Sequence, residues 1–361
     1  LLGAGWSWTG SSTADALYIR LVGPEFTHLE LPHDGEGHYI TAGGGTLLYD
    51  VTRALQQEGL QLDARGTCMA ANMSQTVGGL LATNVHHNLM RSFADITRWV
   101  DVVLANGTIV RSHRGEELFM LTLGGGGQSG VIVRASLDVS PRGVYEKSRI
   151  ANFWTLLLPL EPMQVIKSRG VVYVKRNIPY DPNIVGGFDW TTNSAESKQY
   201  MDIDGFLTDP VNVLKIDKGY GYRELCFFIP TSLRWRVGFG MLGKALTQPL
   251  KRWCYMPIGM LLVIGGNRMV FRSAVYLAGN GYMGRTGPAA TDNFLAVQIP
   301  YLSFVPNMDE CAANLYADVL EDYPGQVRPH PGKRAEIPLN SGIAPAVYAL
   351  LDEYDPFGMF R

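Results

Sequence analysis

Glycine-rich segments in the first third of the chain have the residue types that bind a phosphorylated ligand through backbone atoms. The first, LLGAGWSWTGSST, runs from an apolar end into Gly3, Ala4 and Gly5 and then into small hydroxyl residues. Such a segment offers several backbone N–H groups to an anion such as a pyrophosphate. A plain turn between two strands explains the motif alone equally well.

The second segment, Arg65 to His87, is almost uncharged, contains the pair Gly78 and Gly79, and ends in two histidines. We interpret it as an irregular loop, neither helix nor single strand, because paired glycines let backbone pass close to a flat ligand. The third segment is the run Gly124 to Gly127, at a junction between a predicted helix and a predicted strand. It is either a flexible turn or another place of close approach to a ligand.

Composition narrows the class of protein. The chain has 361 residues, 46% hydrophobic and 18% charged, with a net charge of -2. These values predict a folded protein of two domains, or one large core with an inserted lobe, and they argue against a nucleic-acid binder. The four cysteines are far apart and form no CxxC pair, so we expect no structural zinc, no metal site and no disulfide framework, and a reducing compartment.

Hydrophobic patterning predicts the elements that position these segments. In the first part we expect a strand at His38 to Ala42, a helix at Thr46 to Glu58, a hairpin around Asn106-Gly107 within Ile96 to Val110, a helix at Glu117 to Leu123 and a strand at Gly130 to Val139. From about Val144 we expect an antiparallel sheet with helices, including strands Val171 to Val174, Glu224 to Ile229 and Phe294 to Leu302 and helices Met308 to Leu320 and Pro345 to Tyr354.

One apolar run, Tyr255 to Ile264, is too short to span a bilayer and contains Pro257 and Gly259. Buried core is the favoured interpretation, and a surface-seeking hydrophobic patch with nearby basic residues is the second.

Five motifs then occur in one order along nearly the whole chain. They are Gly3 to Trp8; the helix ending at Glu58-Gly59-Leu60; Gln75 to His86; Gly126 to Ile132; and Arg328 to Lys333, followed by the ending Tyr354 to Phe360. Together they resemble the PCMH-type FAD-binding flavoproteins of the vanillyl-alcohol oxidase superfamily. The RPHPGK and DPFGMF segments resemble the HWGK and DPxGxF motifs of the aldonolactone oxidoreductase branch, which includes gulonolactone and arabinonolactone oxidase, galactonolactone dehydrogenase and alditol oxidase.

The resemblance implies an α+β fold. We expect a PCMH-type FAD-binding domain at 1–143, made of two α/β subdomains of which the first is N-terminally incomplete. An antiparallel-sheet substrate or cap domain follows at 144–325, and the segment 326–361 returns to the flavin site.

The resemblance also implies roles for individual residues. Lys333, His330 and Gln298 are the expected catalytic residues, with Lys333 supplying positive charge beside the flavin and His330 either orienting the substrate or packing structurally. The expected FAD-binding residues are Gly3, Ala4, Gly5, Trp6, Ser7, Gln75, Thr76, Gly78, Gly79, Thr83, Asn84, Val85, His86, Gly130, Val131 and Ile132.

Three positions depart from the family pattern. Trp6 stands where several relatives have a histidine bonded to the flavin, so we expect non-covalent FAD. Gln298 stands where relatives have a glutamate, and Pro331 where they have the tryptophan of HWGK. The cofactor side is therefore predicted to be intact and the substrate side altered.

The resulting expectation is an FAD-dependent oxidoreductase that moves a hydride from a carbinol carbon of a sugar lactone or polyol to flavin N5. The branched Val85 favours a dehydrogenase that passes electrons to a carrier protein or quinone. The alternative is a catalytically weakened flavoprotein subunit with a structural or assembly role in a larger, respiratory complex. By analogy with galactonolactone dehydrogenase, we expect a mitochondrial protein associated with a complex or a membrane surface.

Overall fold

The structure is a computed structural model. It describes residues 20–31, 39–64, 75–83, 85, 92–149, 165–168, 171–179, 199–201, 222–248, 255–256, 259, 270–273, 294–302, 307–324, 326–330 and 345–360. Of the predicted site residues, Gly3, Ala4, Gly5, Trp6, Ser7, Asn84, His86 and Lys333 lie outside these ranges.

The N-terminal part is built on one antiparallel sheet. Its strands are β1 (Leu29–Glu30), β2 (Tyr39–Gly43), β3 (Leu60–Gln61), β4 (Thr97–Val103), β5 (Ile109–His113), β6 (Val131–Asp138) and β7 (Ser140–Pro141). Its helices are α1 (Pro24–Thr27), α2 (Leu48–Gln57), α3 (Val77–Ala82), α4 (Phe93–Ile96) and α5 (Glu117–Thr122). Five of the strands form a sheet in the order β1-β2-β6-β4-β5, and β3 pairs with β7.

The burial of side chains agrees with a strand order that has β6 at the centre. Strand β6 is the central strand, and its Ile132, Ala135 and Leu137 are buried in the core, whereas Arg134 and Asp138 are partly exposed. Helix α2 buries Leu48, Val51 and Leu55 on one face, which joins the same core. The predicted helix Thr46 to Glu58 and strand His38 to Ala42 are therefore confirmed to within two residues.

The hairpin predicted around Asn106-Gly107 is also confirmed, as β4 and β5. Gly107 has φ +81°, and the Asn106 side-chain oxygen accepts hydrogen bonds from the Thr108 backbone N–H and hydroxyl at 2.9 and 2.7 Å. Positive φ at the residue after Asn is what this turn requires and what glycine permits.

A buried aspartate forms ion pairs that connect three strands of this sheet. Asp101 of β4 stands opposite Arg111 of β5 and Arg134 of β6, and both guanidinium groups reach its carboxylate at 2.8 Å. The Arg111 guanidinium also lies 3.8 Å from the Trp99 ring centroid. Burial alone would raise the pKa of Asp101, but the hydrogen bonds from Arg111 and Arg134 outweigh it and lower that pKa.

The second part contains two further antiparallel sheets. The strands β8 (Gly143–Arg149), β9 (Val165–Ser168), β10 (Val171–Pro179) and β11 (Gln199–Met201) form a sheet in the order β11-β8-β10-β9. The strands β12 (Tyr222–Pro230), β13 (Val270–Ser273), β14 (Phe294–Leu302) and β15 (Arg328–Pro329) form another in the order β13-β14-β12-β15. The predicted antiparallel character and the exact extent of β14 are confirmed.

Two helices cover one face of the β12 sheet. They are α6 (Arg234–Thr247) and α7 (Met308–Asp322), and their buried residues Val237, Met241, Leu315 and Tyr316 pack in one cluster with Phe227 of β12. The Tyr255 hydroxyl donates to the Asp318 carboxylate at 2.8 Å, and Lys244 lies 2.8 Å from Asp322. Burial and then the hydrogen bond to Asp318 raise the pKa of Tyr255.

The C-terminal helix α8 (Pro345–Tyr354) returns to the N-terminal part. Its Val347 and Leu351 form a buried cluster with Leu121 of α5. Directly after the helix, the buried Asp355 carboxylate accepts hydrogen bonds from the backbone N–H groups of Met359 and Phe360 at 2.8 and 2.9 Å. The aspartate of the DPFGMF ending thus stabilises the turn of that segment.

One expectation needs correction. Cys311 is disulfide-bonded, although the spacing of the cysteines predicted no disulfide framework. Cysteines distant in sequence can meet in the fold, and their spacing does not show this. In the run Tyr255 to Ile264, the described residues Tyr255 and Gly259 are buried, which agrees with the core interpretation at those positions. Within the described ranges, no helix combines the length and apolar character needed to cross a bilayer.

Candidate cofactor and substrate site

The segment Gln75 to Thr83 forms a short helix with tight caps, which corrects the prediction of an irregular loop. Thr76 caps helix α3 by accepting the Gly79 N–H at 3.3 Å, and the Thr83 hydroxyl donates to the Gly79 carbonyl at 2.9 Å. A helix of only six residues tolerates two glycines because hydrogen bonds to its neighbours, rather than propensity, hold it.

Those neighbours are the turn after β2 and the helix α2. The Val77 N–H donates to the Thr46 carbonyl and the Gly78 N–H to the Gly44 carbonyl, at 2.9 and 2.8 Å. The Gln75 carbonyl accepts the Leu48 N–H at 2.9 Å. The predicted cofactor segment is therefore fixed to the end of strand β2 and the start of α2 through backbone hydrogen bonds.

Backbone also approaches Gly78 closely from two sides. A Cβ atom on Gly78 would lie 3.0 Å from both the Gly44 and the Ile132 carbonyl oxygens. On Gly44 a Cβ would lie 2.1 Å from the same Ile132 oxygen, and on Gly45 it would lie 2.2 Å from the Leu21 oxygen. The close approach predicted for these glycine clusters is present, and in the described residues it is made by other backbone.

The third predicted segment meets the second one. The Gly124 and Gly126 N–H groups donate to the Leu81 and Ala82 carbonyls at the end of α3, at 2.9 and 2.8 Å. Gly130 has φ +145°, and a Cβ there would lie 2.5 Å from the Val103 oxygen, so only glycine fits. Two of the three segments predicted to bind the cofactor are thus held together at the start of β6.

Val85, Val131 and Ile132 have packing roles visible in the fold. Val131 and Ile132 are buried in β6, and Val85 packs partly buried against the same core. The Val85 N–H donates to the Leu80 carbonyl at 2.9 Å, and its own carbonyl accepts the Phe93 N–H at 3.2 Å. The control of oxygen access predicted for Val85 remains a prediction, and core packing gives a second reason for a branched residue there.

The side chain of Gln75 has a feature that packing does not explain. Its Oε1 atom is buried and has no hydrogen-bond partner among the described residues. An unpaired buried acceptor costs about 1–3 kcal/mol, so a ligand with donors is favoured beside it. The buried hydroxyls of Thr52 and Ser136 share this state, on α2 and β6. FAD carries N–H and hydroxyl donors, and Gln75 therefore fits the cofactor predicted from the sequence.

The two described residues predicted for the substrate side come to one region of the β12 sheet. In the register of β12, Cys226 stands opposite Gln298 of β14, and Phe227 stands opposite Pro329 of β15. His330 follows Pro329 and so continues that pairing towards Cys226. Gln298 and Cys226 thus stand opposite each other on neighbouring strands, and His330 directly follows the last paired residue of β15. We call these three residues, which are far apart in sequence, the row.

His330 is 5% exposed, and its ring stacks on Phe228 with centroids 5.7 Å apart. Phe228 is not part of the cluster under α6 and α7, whereas its neighbours Phe227 and Ile229 are. Since neighbouring strand residues alternate between faces, the stacked pair Phe228 and His330 lies on the sheet face opposite those helices. Sequence reasoning missed Cys226 because nothing in its local sequence distinguishes it from a core strand residue.

These elements define an α+β protein with a glycine-built ligand segment in one half and an antiparallel sheet carrying polar residues in the other. Comparisons with known proteins agree with this description. The family model described as FAD binding domain matches residues 1–113. A solved structure of a solvent-stable cholesterol oxidase has the same fold, with a TM-score of 0.57 at 14% identity over 93% of this chain and 82% of that chain.

The FAD-binding-domain match covers less than half of the chain, and the likeness at 14% identity shows the fold. The predicted fold class and the predicted cofactor, FAD, are confirmed.

Proposed function

We propose that the protein is a dehydrogenase that oxidises a carbinol of a sugar lactone or polyol with bound FAD. The observation that carries the proposal is the row formed by Gln298, Cys226 and His330. It supports a polar substrate surface on the second half of the chain, and two of its members, Gln298 and His330, were singled out independently by the aldonolactone resemblance. The neighbour's cholesterol is not transferred to this chain, since 14% identity reports the fold alone.

Bound FAD supplies hydride acceptance at flavin N5, and the protein supplies orientation and charge. Gln75 would accept a hydrogen bond from the cofactor at its buried oxygen. Lys333, three residues after His330, is proposed as the positive charge that stabilises the reduced cofactor.

His330 and Gln298 are proposed to position the substrate hydroxyls. Stacking on Phe228 fixes the His330 imidazole plane, which leaves its ring nitrogens with defined directions. An amide at Gln298 both donates and accepts, so it binds hydroxyl groups without the negative charge that a glutamate would bring.

The experiment is anaerobic titration of the FAD-loaded protein with an aldonolactone, a polyol and cholesterol, followed by flavin absorbance. The proposal expects bleaching by a lactone or polyol and slow reoxidation in air, with rapid reoxidation by a quinone. Bleaching by cholesterol alone, or complete reoxidation in air within seconds, would contradict it. The variant Lys333→Met should lower the rate of bleaching more than the affinity for FAD.

A second candidate is a flavoprotein subunit with a structural or assembly role, including the mitochondrial, complex-associated role expected from the resemblance. It is motivated by Gln298 and Pro331, which replace the residues that the resembled enzymes use. FAD that stays bound and that no lactone or polyol reduces would favour this candidate. Restoring bleaching with Gln298→Glu would show that the loss lies at this position.

A further inference from the structure

Helix α6 exposes a stripe of large apolar side chains. Trp235, Phe239 and Leu246 are 52%, 59% and 63% exposed, although each is large and apolar. Their spacing of four and then seven residues places them along one side of the helix. The Trp235 and Phe239 rings stack with centroids 6.4 Å apart. We call these three residues the α6 stripe.

The stripe lies on the side of α6 away from its buried face. Val237, Met241 and Ala245 point into the cluster with α7 and are at most 3% exposed. The core therefore does not need the α6 stripe, because another face of the same helix already fills it. A row of exposed aromatic and aliphatic side chains on the outer side of a helix marks an interaction surface.

The charged residues on α6 itself all have one sign. The charged residues of α6 are Arg234, Arg236 and Lys244, and the helix contains no Asp or Glu. The Arg234 guanidinium lies 4.8 Å from the Trp235 ring centroid, at the N-terminal end of the stripe. Lys244 is held on the α7 side by Asp318 and Asp322. The stripe is thus bordered by an arginine pair at one end.

We propose that the α6 stripe docks on the surface of an anionic lipid bilayer. Trp beside Arg suits the lipid headgroup region, where the indole is amphipathic and the guanidinium meets phosphates. The inference does not depend on the proposed function.

The apolar surface differs from the one expected from sequence. The surface-seeking interpretation concerned Tyr255 to Ile264, of whose described residues Tyr255 and Gly259 are buried and Met256 is partly buried. A Cβ on Gly259 would lie 2.9 Å from the Gly238 carbonyl of α6, so that segment packs closely on the helix. The exposed apolar surface belongs to α6 itself.

The test is flotation of the full FAD-loaded chain with vesicles of phosphatidylcholine containing about one-third phosphatidylserine, and with phosphatidylcholine alone. The test variant is Phe239→Ser with Leu246→Ser. The matched control is Ile109→Ser, because Ile109 is 65% exposed on β5, in the other half of the chain. A second variant, Arg236→Gln, changes an exposed charge without touching the apolar side chains.

We expect binding to the anionic vesicles that weakens in high salt and is lower on phosphatidylcholine alone. The double variant should bind about tenfold more weakly, because binding scales with buried apolar area, and Ile109→Ser should bind as the wild type does. Arg236→Gln should weaken binding to the anionic vesicles and leave binding to phosphatidylcholine alone unchanged. The proposal would be overturned if the wild type did not bind the vesicles or if the double variant bound equally well. It would also be overturned if light scattering showed a wild-type dimer that the double variant does not form.

Discussion

Substitution of Gly78 by alanine distinguishes two reasons for a glycine at this position: close packing against protein backbone and contact with the cofactor. The added methyl would lie 3.0 Å from two backbone oxygens, those of Gly44 and Ile132, and Ile132 belongs to the central strand of the sheet. Neither oxygen can turn away as a side chain would. Overpacking of this kind costs about 1–3 kcal/mol, whereas alanine in place of glycine within a helix gains up to about 1 kcal/mol. We expect a net loss of about 1–2 kcal/mol in the free energy of unfolding.

The measurement is denaturant unfolding of the full chain after removal of FAD, because the steric conflict is with protein atoms and does not need the cofactor. The control is Gly243→Ala in α6, where a Cβ would meet nothing within 4 Å. That variant should gain up to about 1 kcal/mol, since only the helix preference of alanine remains. The two substitutions are the same in chemistry and are expected to have opposite signs.

An apo Gly78→Ala protein that is as stable as the wild type, or more stable, would refute the backbone explanation. If FAD binding were then lost, the glycine would serve the ligand alone. Loss of stability together with normal FAD affinity in the folded fraction would instead assign Gly78 wholly to protein packing.

Three further predictions concern the scaffold. Asp101→Asn should cost about 2 kcal/mol at neutral pH. The folded-state pKa of Asp101 is lowered, so its carboxylate stabilises the fold above its unfolded pKa, which is about 4. That stabilisation is lost as the pH falls through the folded-state pKa. The difference in melting temperature between Asp101→Asn and the wild type should therefore shrink in acid. Leu351→Ala should lower the free energy of unfolding by about 3 kcal/mol, because it leaves a cavity at the buried contact with Leu121. A loss in thermal melts no larger than that of an alanine substitution at an exposed position would contradict this packing. Cys311→Ser should lower stability by about 2–4 kcal/mol and remove the effect of a reductant on the melting curve, whereas a wild-type curve unchanged by reductant would argue against the disulfide.

Strong periodic signals in the sequence predicted their elements well. Helix Pro345–Tyr354 and strand Phe294–Leu302 have the predicted limits, and the Asn106-Gly107 hairpin is present. Each combines regular hydrophobic spacing with a clear end signal. Their local preference and their tertiary environment agree, so the sequence is informative there.

Helix α6 was not predicted, for a physical reason. It contains Gly238, Gly240 and Gly243, which lower helix propensity, and its exposed aromatic residues obscure the division into an apolar and a polar face. Packing against α7 supplies the stability that propensity lacks. The same features that hide the helix in the sequence produce the exposed stripe.

Two of the three residues of the row were predictable from the sequence, but their arrangement was not. Gln298 and His330 were singled out by motif position, yet their neighbourhood depends on β12 pairing with β14 on one side and β15 on the other. Strand order and register are tertiary properties. A shift of one residue in either pairing would move a member of the row to the other sheet face.

Glycine and glutamine in the cofactor segment therefore carry different kinds of information. Gly78 looked like a ligand contact in the sequence, but two backbone oxygens of the protein already account for the missing side chain. Gln75 was one member of a motif, and the structure gives it a buried acceptor without a hydrogen-bond partner among the described residues. A packing requirement explains a glycine without any ligand, whereas an unpaired buried amide oxygen is a cost that a ligand with donors removes. In this segment, Gln75 is thus the residue whose chemistry points to FAD.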